Sequence, residues 1–226
     1  MDEVENIIEA VNFTTEKSAY NYQAGVVVNG IETTVTHGYC NIASSQMEGE
    51  TSVITHNPQG QEIKDYTHNF LDGKTVYLQI PRPDPSGEGM IKEWVSFESP
   101  GISTSQIWML FWLYATVDAK EIQPNKYQIT IDPQVLGKQA PADKAQELVS
   151  GLRQSALGQI PGIFHAVVTL SDEGVIDSMN LVINDYKSPE HAQTGAVAEA
   201  AEVIYVLHLT PTPLQQLKFP EVNKGN

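Results

Sequence analysis

The residues best able to do chemistry are six histidines and a short acidic loop, and neither forms a metal-binding pattern. The histidines are His37, His56, His68, His165, His191 and His208. No two of them have the His-x-x-x-His spacing that places two imidazole ligands on one face of a helix. Residues 84–89 resemble the start of a calcium-binding loop, but its last ligand position is Val95, where a bidentate glutamate is required. The sequence therefore predicts no metal site.

The single cysteine, Cys40, is predicted to be a buried, unreactive thiol. It lies in a run of alternating larger and smaller residues, Thr33 to Cys40, that is typical of a half-buried strand. Only His37 is close enough in sequence to lower the pKa of this thiol, and no second pair of ligands accompanies it for zinc. One cysteine also excludes a disulfide within the chain.

The chain carries none of the short motifs that anchor common catalytic or nucleotide-binding sites. It has no Gly-x-Ser-x-Gly nucleophile elbow, no Gly-x-Gly-x-x-Gly turn and no Walker loop. We therefore predict a protein that is not an enzyme, with no catalytic residues and no cofactor. A cleft of clustered carboxylates with perturbed pKa values would be the observation that favours an enzyme instead.

The net charge of the chain limits its partners. The 226 residues include 28 acidic and 13 basic side chains, for a formal net charge of −15. Nucleic-acid binding depends on clustered Lys and Arg, so this balance argues against it. The same balance argues against electrostatic docking to anionic lipid headgroups. The simplest interpretation of the charge is a well-solvated surface.

Turn signals between apolar, β-branched runs predict a large antiparallel meander. Asp72-Gly73 and Asp172-Glu173-Gly174 each separate two such runs, and Asn29-Gly30 is the strongest short hairpin signal. The predicted strands cover residues 20–28, 31–42, 50–55, 62–71, 74–80, 94–97, 121–122, 127–131, 164–170, 175–183 and 198–209. The fold class is α+β: a large curved antiparallel sheet, or half-open β-barrel, with helices closing the open side.

The remaining segments are predicted as helices, one loop and a tail. Apolar spacing and capping residues predict helices at residues 3–17, 106–117 and 141–157. Residues 81–92, rich in Pro and Gly, are predicted to form a loop, and residues 210–226 an extended edge or linker. We expect residues 1–226 to form one domain, in which the first two residues precede the first element.

The 106–117 helix is unusual because it is apolar almost all round. Residues 108–114 hold two Trp, one Phe, one Tyr and one Met. One interpretation is a core helix that plugs the open mouth of the sheet. The other is a helix that lines or gates an apolar cavity, since Met and aromatic side chains suit an adaptable pocket wall. Sequence alone leaves both open.

The order of these elements resembles that of the LppX/LprG-type lipoproteins, within the broader LolA/LolB-like superfamily. The similarity includes the N-terminal helix, the long meandering strands, the Phe-Leu-Asp-Gly-Lys-x-Val-Tyr-Leu pair at residues 70–78 and the Pro-rich loop before Trp94. A helix over the sheet, Asp-Glu-Gly at residues 172–174 and an end in Phe219-Pro220 complete it.

This resemblance implies a non-catalytic lipoprotein of the cell envelope that binds or carries a lipid in an apolar cavity. Members are usually secreted and lipid-anchored through an N-terminal cysteine. We therefore expect an extracytoplasmic location, with a signal and an anchor that belong to the full-length precursor and are absent from this chain. The expected partners are a lipid or other amphiphile and an envelope protein, but no nucleic acid and no metal, and the protein itself is expected to be a monomer.

The residues of the ligand cavity are predicted from periodicity, because the resemblance supplies no catalytic residues and no strict cavity motif. They are Trp108, Met109, Phe111 and Trp112 on the apolar helix and Val26, Val28, Val35, Tyr77 and Ile80 on the strands. The alternative function is an envelope sensor or protein-interaction module on the same fold without a stably bound lipid. A packed core and an exposed apolar patch would favour that alternative.

Overall fold

The computed structural model describes residues 2–17, 19–57, 59–87, 89–98, 106–142, 145–154, 162–186 and 201–222. Its helices are α1 (Glu3–Lys17), α2 (Leu136–Gln139), α3 (Ala145–Gln154) and two 3₁₀ helices, Gln106–Ala115 and Pro133–Val135. Its strands are β1 (Ala19–Val28), β2 (Ile31–Asn41), β3 (Gln46–His56), β4 (Glu62–Asp72), β5 (Thr75–Pro83), β6 (Met90–Glu98), β7 (Thr116–Gln123), β8 (Lys126–Ile131), β9 (Phe164–Leu170), β10 (Ile176–Tyr186) and β11 (Ala201–Pro211). We call Gln106–Ala115 the aromatic helix.

The described strands form one open antiparallel sheet. Its order is β6-β5-β4-β3-β2-β1-β11-β10-β9-β8-β7, so the first and last strands of the chain pair at its centre. The predicted α+β fold, a large antiparallel sheet with few helices, is confirmed. Local chemistry explains the hairpins: Asn29 and Gly30 have φ values of 49° and 79°, the left-handed pair that a tight two-residue turn requires.

The two faces of the sheet differ in what covers them. Tyr22 and Ala24 of β1 share a face with Leu207 and Met179 of the neighbouring strands, and all four are buried. The helices pack on this face, and buried residues of α1, the aromatic helix, α2 and α3 join it in one core cluster. We call it the inner face. The opposite, outer face carries polar residues such as Gln23 and His208 over much of its area.

Half of the Pro-rich segment predicted as a loop is strand, so the prediction was wrong for residues 81–83 and 90–92. β5 runs to Pro83 and β6 begins at Met90, and these two residues pair with each other. Beyond Leu78, the far part of β5 has no recorded pairing with β4. Proline has no N–H to donate, and Pro81 and Pro83 lie where β5 pairs with β6 alone, a position where strands tolerate proline.

The apolar 106–117 segment is a 3₁₀ helix that ends two residues earlier than predicted, at Ala115. Thr116 begins β7, and its hydroxyl donates to the carbonyl of Leu113 at 2.7 Å. The helix predicted at 141–157 is α3, whose described part ends at Gln154, and residues 155–157 lie outside the described ranges.

The tail predicted as an edge or linker packs on the outer face. We call residues 212–222 the terminal strap. The amide of Thr212 donates to the carbonyl of Ala19, and the amide of Gln215 donates to the Tyr39 hydroxyl at 2.9 Å. Phe219 then stacks on Tyr77, with ring centroids 5.8 Å apart. The strap thus crosses the outer face from the centre of the sheet towards β5.

Candidate ligand-binding site on the inner face

The inner face divides into two halves. The helices contact β1 and β7–β11, which we call the closed half, and β2–β6 form the open half. On the closed half, large apolar side chains are almost fully buried; these are Leu207, Leu209, Met179, Leu181, Val168 and Ile129. The register places these residues in neighbouring rows on one face. The closed half is therefore a packed core.

The predicted ligand residues of the aromatic helix lie inside that core. Met109, Phe111 and Trp112 are buried, and Trp112 is only 1% exposed. The Trp112 ring meets Phe164 of β9 edge-on, with centroids 5.7 Å apart. The side chain of Trp108 lies outside the described part of the structure. The geometry of the described residues is that of a plug, the first of the two interpretations drawn from the sequence.

The strand residues predicted as ligand contacts fall on both faces. Val26, Val28 and Ile80 lie on the inner face and are half-buried. Val35 pairs with Gly25 of the outer face, and Tyr77 contacts the terminal strap there. The structure therefore does not bring Val35 and Tyr77 together with the other predicted residues. Successive residues of a strand point to opposite faces of the sheet. The alternation in the sequence therefore shows which residues share a face, but not which of the two faces binds the ligand.

The open half has a hollow with apolar walls. It measures about 210 Å³ and is lined by Met47, Asn69, Phe70, Leu71, Val76, Leu78 and Phe97. Phe97 is 45% exposed although its partner Val76 is buried. Further apolar side chains on the inner face of these strands, Val53, Ile63 and Ile91, are also exposed. These exposed apolar side chains share the inner face with the charged residues Asp65, Arg82 and Glu93.

A row of small and polar residues crosses the sheet beside this hollow. Tyr22, Gly38, Gly49, Asn69 and Leu78 are aligned on five consecutive strands, β1 to β5. A Cβ on Gly49 would lie 2.2 Å from the Tyr22 hydroxyl oxygen, so the phenol occupies the space that a side chain there would need. The two glycines let the tyrosine reach across two strands towards Asn69.

Uncharged side chains beside this row hydrogen-bond to one another across β2, β3 and β4. The hydroxyls of Thr36 and Thr51 are 2.9 Å apart, and the Asn69 side-chain amide donates to Thr51 at 3.0 Å. The Tyr22 hydroxyl and the Trp112 indole N–H are buried without a hydrogen-bond partner among the described residues. Burial raises the pKa of Tyr22 well above its ordinary value, and nearby Cys40 and Glu48 raise it further. The phenol is therefore a neutral donor.

Cys40 is buried, as predicted. It is 2% exposed, and burial raises the pKa of its thiol to about 12, although a hydrogen bond with the Tyr20 backbone opposes part of that shift. The thiol stays protonated near neutral pH and is a poor nucleophile.

A larger groove of about 560 Å³ lies between α1 and β8–β10, but its chemistry differs. Its lining includes the carboxylates Glu9, Glu16 and Glu173 and the amides of Asn6 and Asn12. Phe13, Tyr127 and Leu170 also line it, but an acyl chain bound there would cover the carboxylates and amides as well, and covering polar groups without hydrogen bonds costs free energy. Volume alone is therefore a poor guide to the site, and the smaller apolar hollow is the better candidate.

Two histidines and a glutamate meet on the outer face of the open half. Glu50 pairs with His37 on one side and His68 on the other, with nitrogen–oxygen distances of 3.9 Å and 2.8 Å. All three side chains are substantially exposed. Within the described ranges, no group of three or more His, Cys, Asp or Glu side chains has a geometry that could hold a metal ion. No described helix is long and apolar enough to cross a membrane.

The chain matches a solved structure of LprF from Mycobacterium bovis. The match covers 94% of this chain and 95% of that one, at 12% sequence identity and a TM-score of 0.43. A LolA superfamily protein from Nitrosomonas europaea matches over 96% of both chains, at 9% identity and a TM-score of 0.32. A porin-like protein from Bacteroides uniformis matches over 87% of this chain, at 9% identity and a TM-score of 0.22.

No protein-family model and no curated protein matches the chain. LprF and the LolA superfamily protein are structural matches to this chain at low sequence identity. These matches concern the fold alone, so the site is judged from the residues of this chain.

Sequence reasoning missed the residues that line the hollow. Leu71, Val76 and Leu78 belong to the predicted Asp72-Gly73 hairpin. Their strands were therefore predicted, but the face of the sheet to which their side chains point was not. Tyr22 and Asn69 were missed because their proximity depends on register across four strands. The available signal was the glycine pair, since Gly38 and Gly49 within strands mark a close approach.

Proposed function

We propose that the protein is a non-catalytic lipoprotein of the cell envelope that binds a lipid or other amphiphile through the hollow on the open half. An acyl chain lies against Leu71, Val76 and Leu78 in this proposal, and extends towards Ile80 along the same face. The aromatic helix closes the far side as a packed plug. In this proposal the protein lies outside the cytoplasm, as the resemblance drawn from the sequence implies.

The observation that carries this proposal is the uncovered apolar surface of the open half. On these strands Phe97, Val53, Ile63 and Ile91 lie on the inner face and stay exposed. An apolar hollow with exposed apolar side chains around it is a candidate binding surface. Covering it with an acyl chain contributes roughly 25 cal/mol for each Å² removed from water. Such binding needs no directed polar chemistry, which agrees with the absence of catalytic motifs.

A charge placed in the hollow tests the proposal. Leu78→Asp puts a carboxylate among the apolar walls, where an acyl chain cannot solvate it. We expect wild-type protein to bind monolauroylglycerol in native mass spectrometry, and the variant to bind it at least about tenfold more weakly. Solvent extraction of the untreated protein, followed by lipid identification, gives the natural ligand class.

The matched control is Ser96→Asp, which adds the same charge to an exposed position on the outer face of β6. We expect it to bind as wild type does. Equal loss in both variants would mean that net charge, and not the hollow, governs binding. Unchanged binding in Leu78→Asp, with the fold intact by circular dichroism, would refute the site.

One observation favours the alternative function, an envelope sensor or interaction module. The hollow of about 210 Å³ is smaller than typical sites for small molecules, which begin near 300 Å³. A partial cavity beside exposed apolar residues is also a surface that a protein could cover. A protein that is free of lipid on extraction and does not take up monolauroylglycerol would support this alternative over the carrier.

A further inference from the structure

Two tyrosines on β1 point to the same face but differ in their hydroxyl groups. The Tyr20 hydroxyl donates to the carbonyl of Thr14 in α1 at 2.7 Å. The Tyr22 hydroxyl, on a side chain only 4% exposed, has no partner among the described residues. A buried hydroxyl without a partner loses the free energy of its hydrogen bonds to water, so most such groups are paired. Tyr22 is therefore a donor that is already desolvated and lacks an acceptor.

The surroundings of Tyr22 place this donor beside the hollow. The Tyr22 hydroxyl lies 2.2 Å, and the Asn69 side-chain oxygen 3.3 Å, from the point where a Gly49 Cβ would stand. Asn69 also lines the hollow, so its amide connects the phenol to the apolar walls. With no side chain on Gly49, nothing from that strand position separates the two polar groups.

The charge of the open half limits what this donor can bind. Among the described residues of its inner face, the ionisable side chains besides Cys40 are Asp65, Arg82 and Glu93. The one cation of this set, Arg82, already pairs with Glu93 at 3.0 Å. A carboxylate or phosphate placed near Tyr22 would find no free cation in this set, and burying an uncompensated charge is costly. An uncharged acceptor carries no such cost.

We propose that the Tyr22 hydroxyl and the Asn69 side chain form a hydrogen-bonding subsite for an uncharged carbonyl group, such as the ester of an acyl lipid whose chain occupies the hollow. This inference rests on the proposed lipid-binding function and adds a chemical preference to it. The apolar walls select for a chain, and Tyr22 selects for a carbonyl at its end. The subsite thus favours an ester over an ether of the same length.

The test compares two ligands that differ in one oxygen atom. Monolauroylglycerol carries an ester carbonyl, and dodecylglycerol is its ether analogue with the same headgroup and a chain of the same length. Titration below the critical micelle concentration should show that wild-type protein prefers the ester. Tyr22→Phe removes only the hydroxyl, and we expect it to reduce that preference by about fivefold to tenfold, the usual contribution of one hydrogen bond.

The matched control is Tyr20→Phe, which removes a hydroxyl two residues away on the same face. It should lower the melting temperature, because the Thr14 carbonyl loses its donor, and keep the ester preference. Tyr22→Phe has no hydrogen bond to lose and should melt no earlier than wild type. A preference that is equal in wild type and Tyr22→Phe would overturn the subsite.

The outcomes also separate the subsite from the proposed function. If wild type binds neither compound, the lipid-binding function fails, and the subsite fails with it. If wild type binds both compounds equally, the hollow still binds chains and the subsite alone is refuted. An Asn69→Leu variant that loses the ester preference and still binds the ether would support the subsite independently.

Discussion

On the closed half of the inner face, Leu207, Met179 and Val168 are fully buried, whereas on the open half Phe97 keeps almost half of its surface exposed. Both halves belong to the same antiparallel sheet. The rows of the closed half are filled with large aliphatic side chains, but the Gly38 row of the open half contains two glycines and a polar asparagine. The difference lies in the side chains and in the helical cover, and not in the backbone.

The two halves of the sheet therefore have different roles, one in stabilising the fold and the other in leaving space for a ligand. Large aliphatic residues interlock with the helices and stabilise the fold, because each buried side chain contributes through apolar burial and close packing. Glycine and threonine leave space and hydrogen-bonding groups beside the apolar walls of the open half. Tyr22 lies where the halves meet, with its ring in the core and its hydroxyl towards Asn69.

The largest effect should follow from emptying the closed half. Trp112→Ala removes a fully buried ring that contacts Phe164, and such truncations cost about 3–5 kcal/mol of unfolding free energy. Urea unfolding followed by circular dichroism measures this change. An acidic residue at the same position would also bury a charge, so it would report on stability and not on ligand uptake.

The companion substitution on the open half is Leu78→Ala. Leu78 is only half-buried, so we expect a loss of about 1 kcal/mol in stability, together with weaker binding of monolauroylglycerol. Trp112→Ala, at a temperature where it is folded, should bind nearly as wild type does. A Leu78→Ala variant as unstable as Trp112→Ala would contradict the division into two halves.

A loss of stability between those of Trp112→Ala and Leu78→Ala is expected from crowding the glycine row. A Cβ on Gly38 would lie 1.9 Å from the Glu48 carbonyl oxygen and 2.7 Å from the Gly49 Cα, and these backbone atoms cannot rotate away. Gly38→Ala should therefore force β2 and β3 apart and cost about 2–3 kcal/mol. Thermal unfolding measures the loss.

Gly25→Ala on the neighbouring strand is the control for Gly38→Ala. Its Cβ would approach only the Thr34 carbonyl oxygen, at 3.3 Å, so a small shift accommodates it. We expect a change within about 1 kcal/mol. If both alanines were equally tolerated, the close approach of β2 and β3 would not be a constraint of the fold.

The sequence revealed the strands and turns because their signals are local. Asn29-Gly30 and Asp72-Gly73 set the hairpins through backbone conformations that few residues adopt. The N-terminal helix was predicted at its observed bounds from the spacing of Ile7, Val11 and their neighbours. The ends of β5 and β6 were wrongly predicted as part of a loop, because Pro81 and Pro83 are compatible with a strand that is paired on one side.

The candidate site was less predictable because it depends on which face each residue occupies. Tyr77 and Leu78 are adjacent in sequence, yet one contacts the terminal strap and the other lines the hollow. Local periodicity gives the alternation and leaves open which set faces the helices. The strap itself was missed because Phe219 is held by rings from strands far away in the sequence.

The smallest predicted effect concerns alkaline pH, where Cys40 extends the packed core to β2. The pKa of this thiol is raised from 9.0 to about 12 in the folded state, so the folded protein keeps a proton that the unfolded chain releases. The resulting stabilisation is complete below pH 9.0 and is lost as the pH rises from there towards 12. Unfolding free energies from urea titrations should fall by about 1 kcal/mol more between about pH 8 and pH 10 in wild type than in Cys40→Ala. Burial, the main cause of the raised pKa values of Tyr20 and Tyr22, acts in both proteins and cancels in this difference, whereas the smaller contribution of Cys40 to those values belongs to the effect of Cys40. An identical pH dependence in the two proteins would mean that Cys40 is solvated in the folded protein.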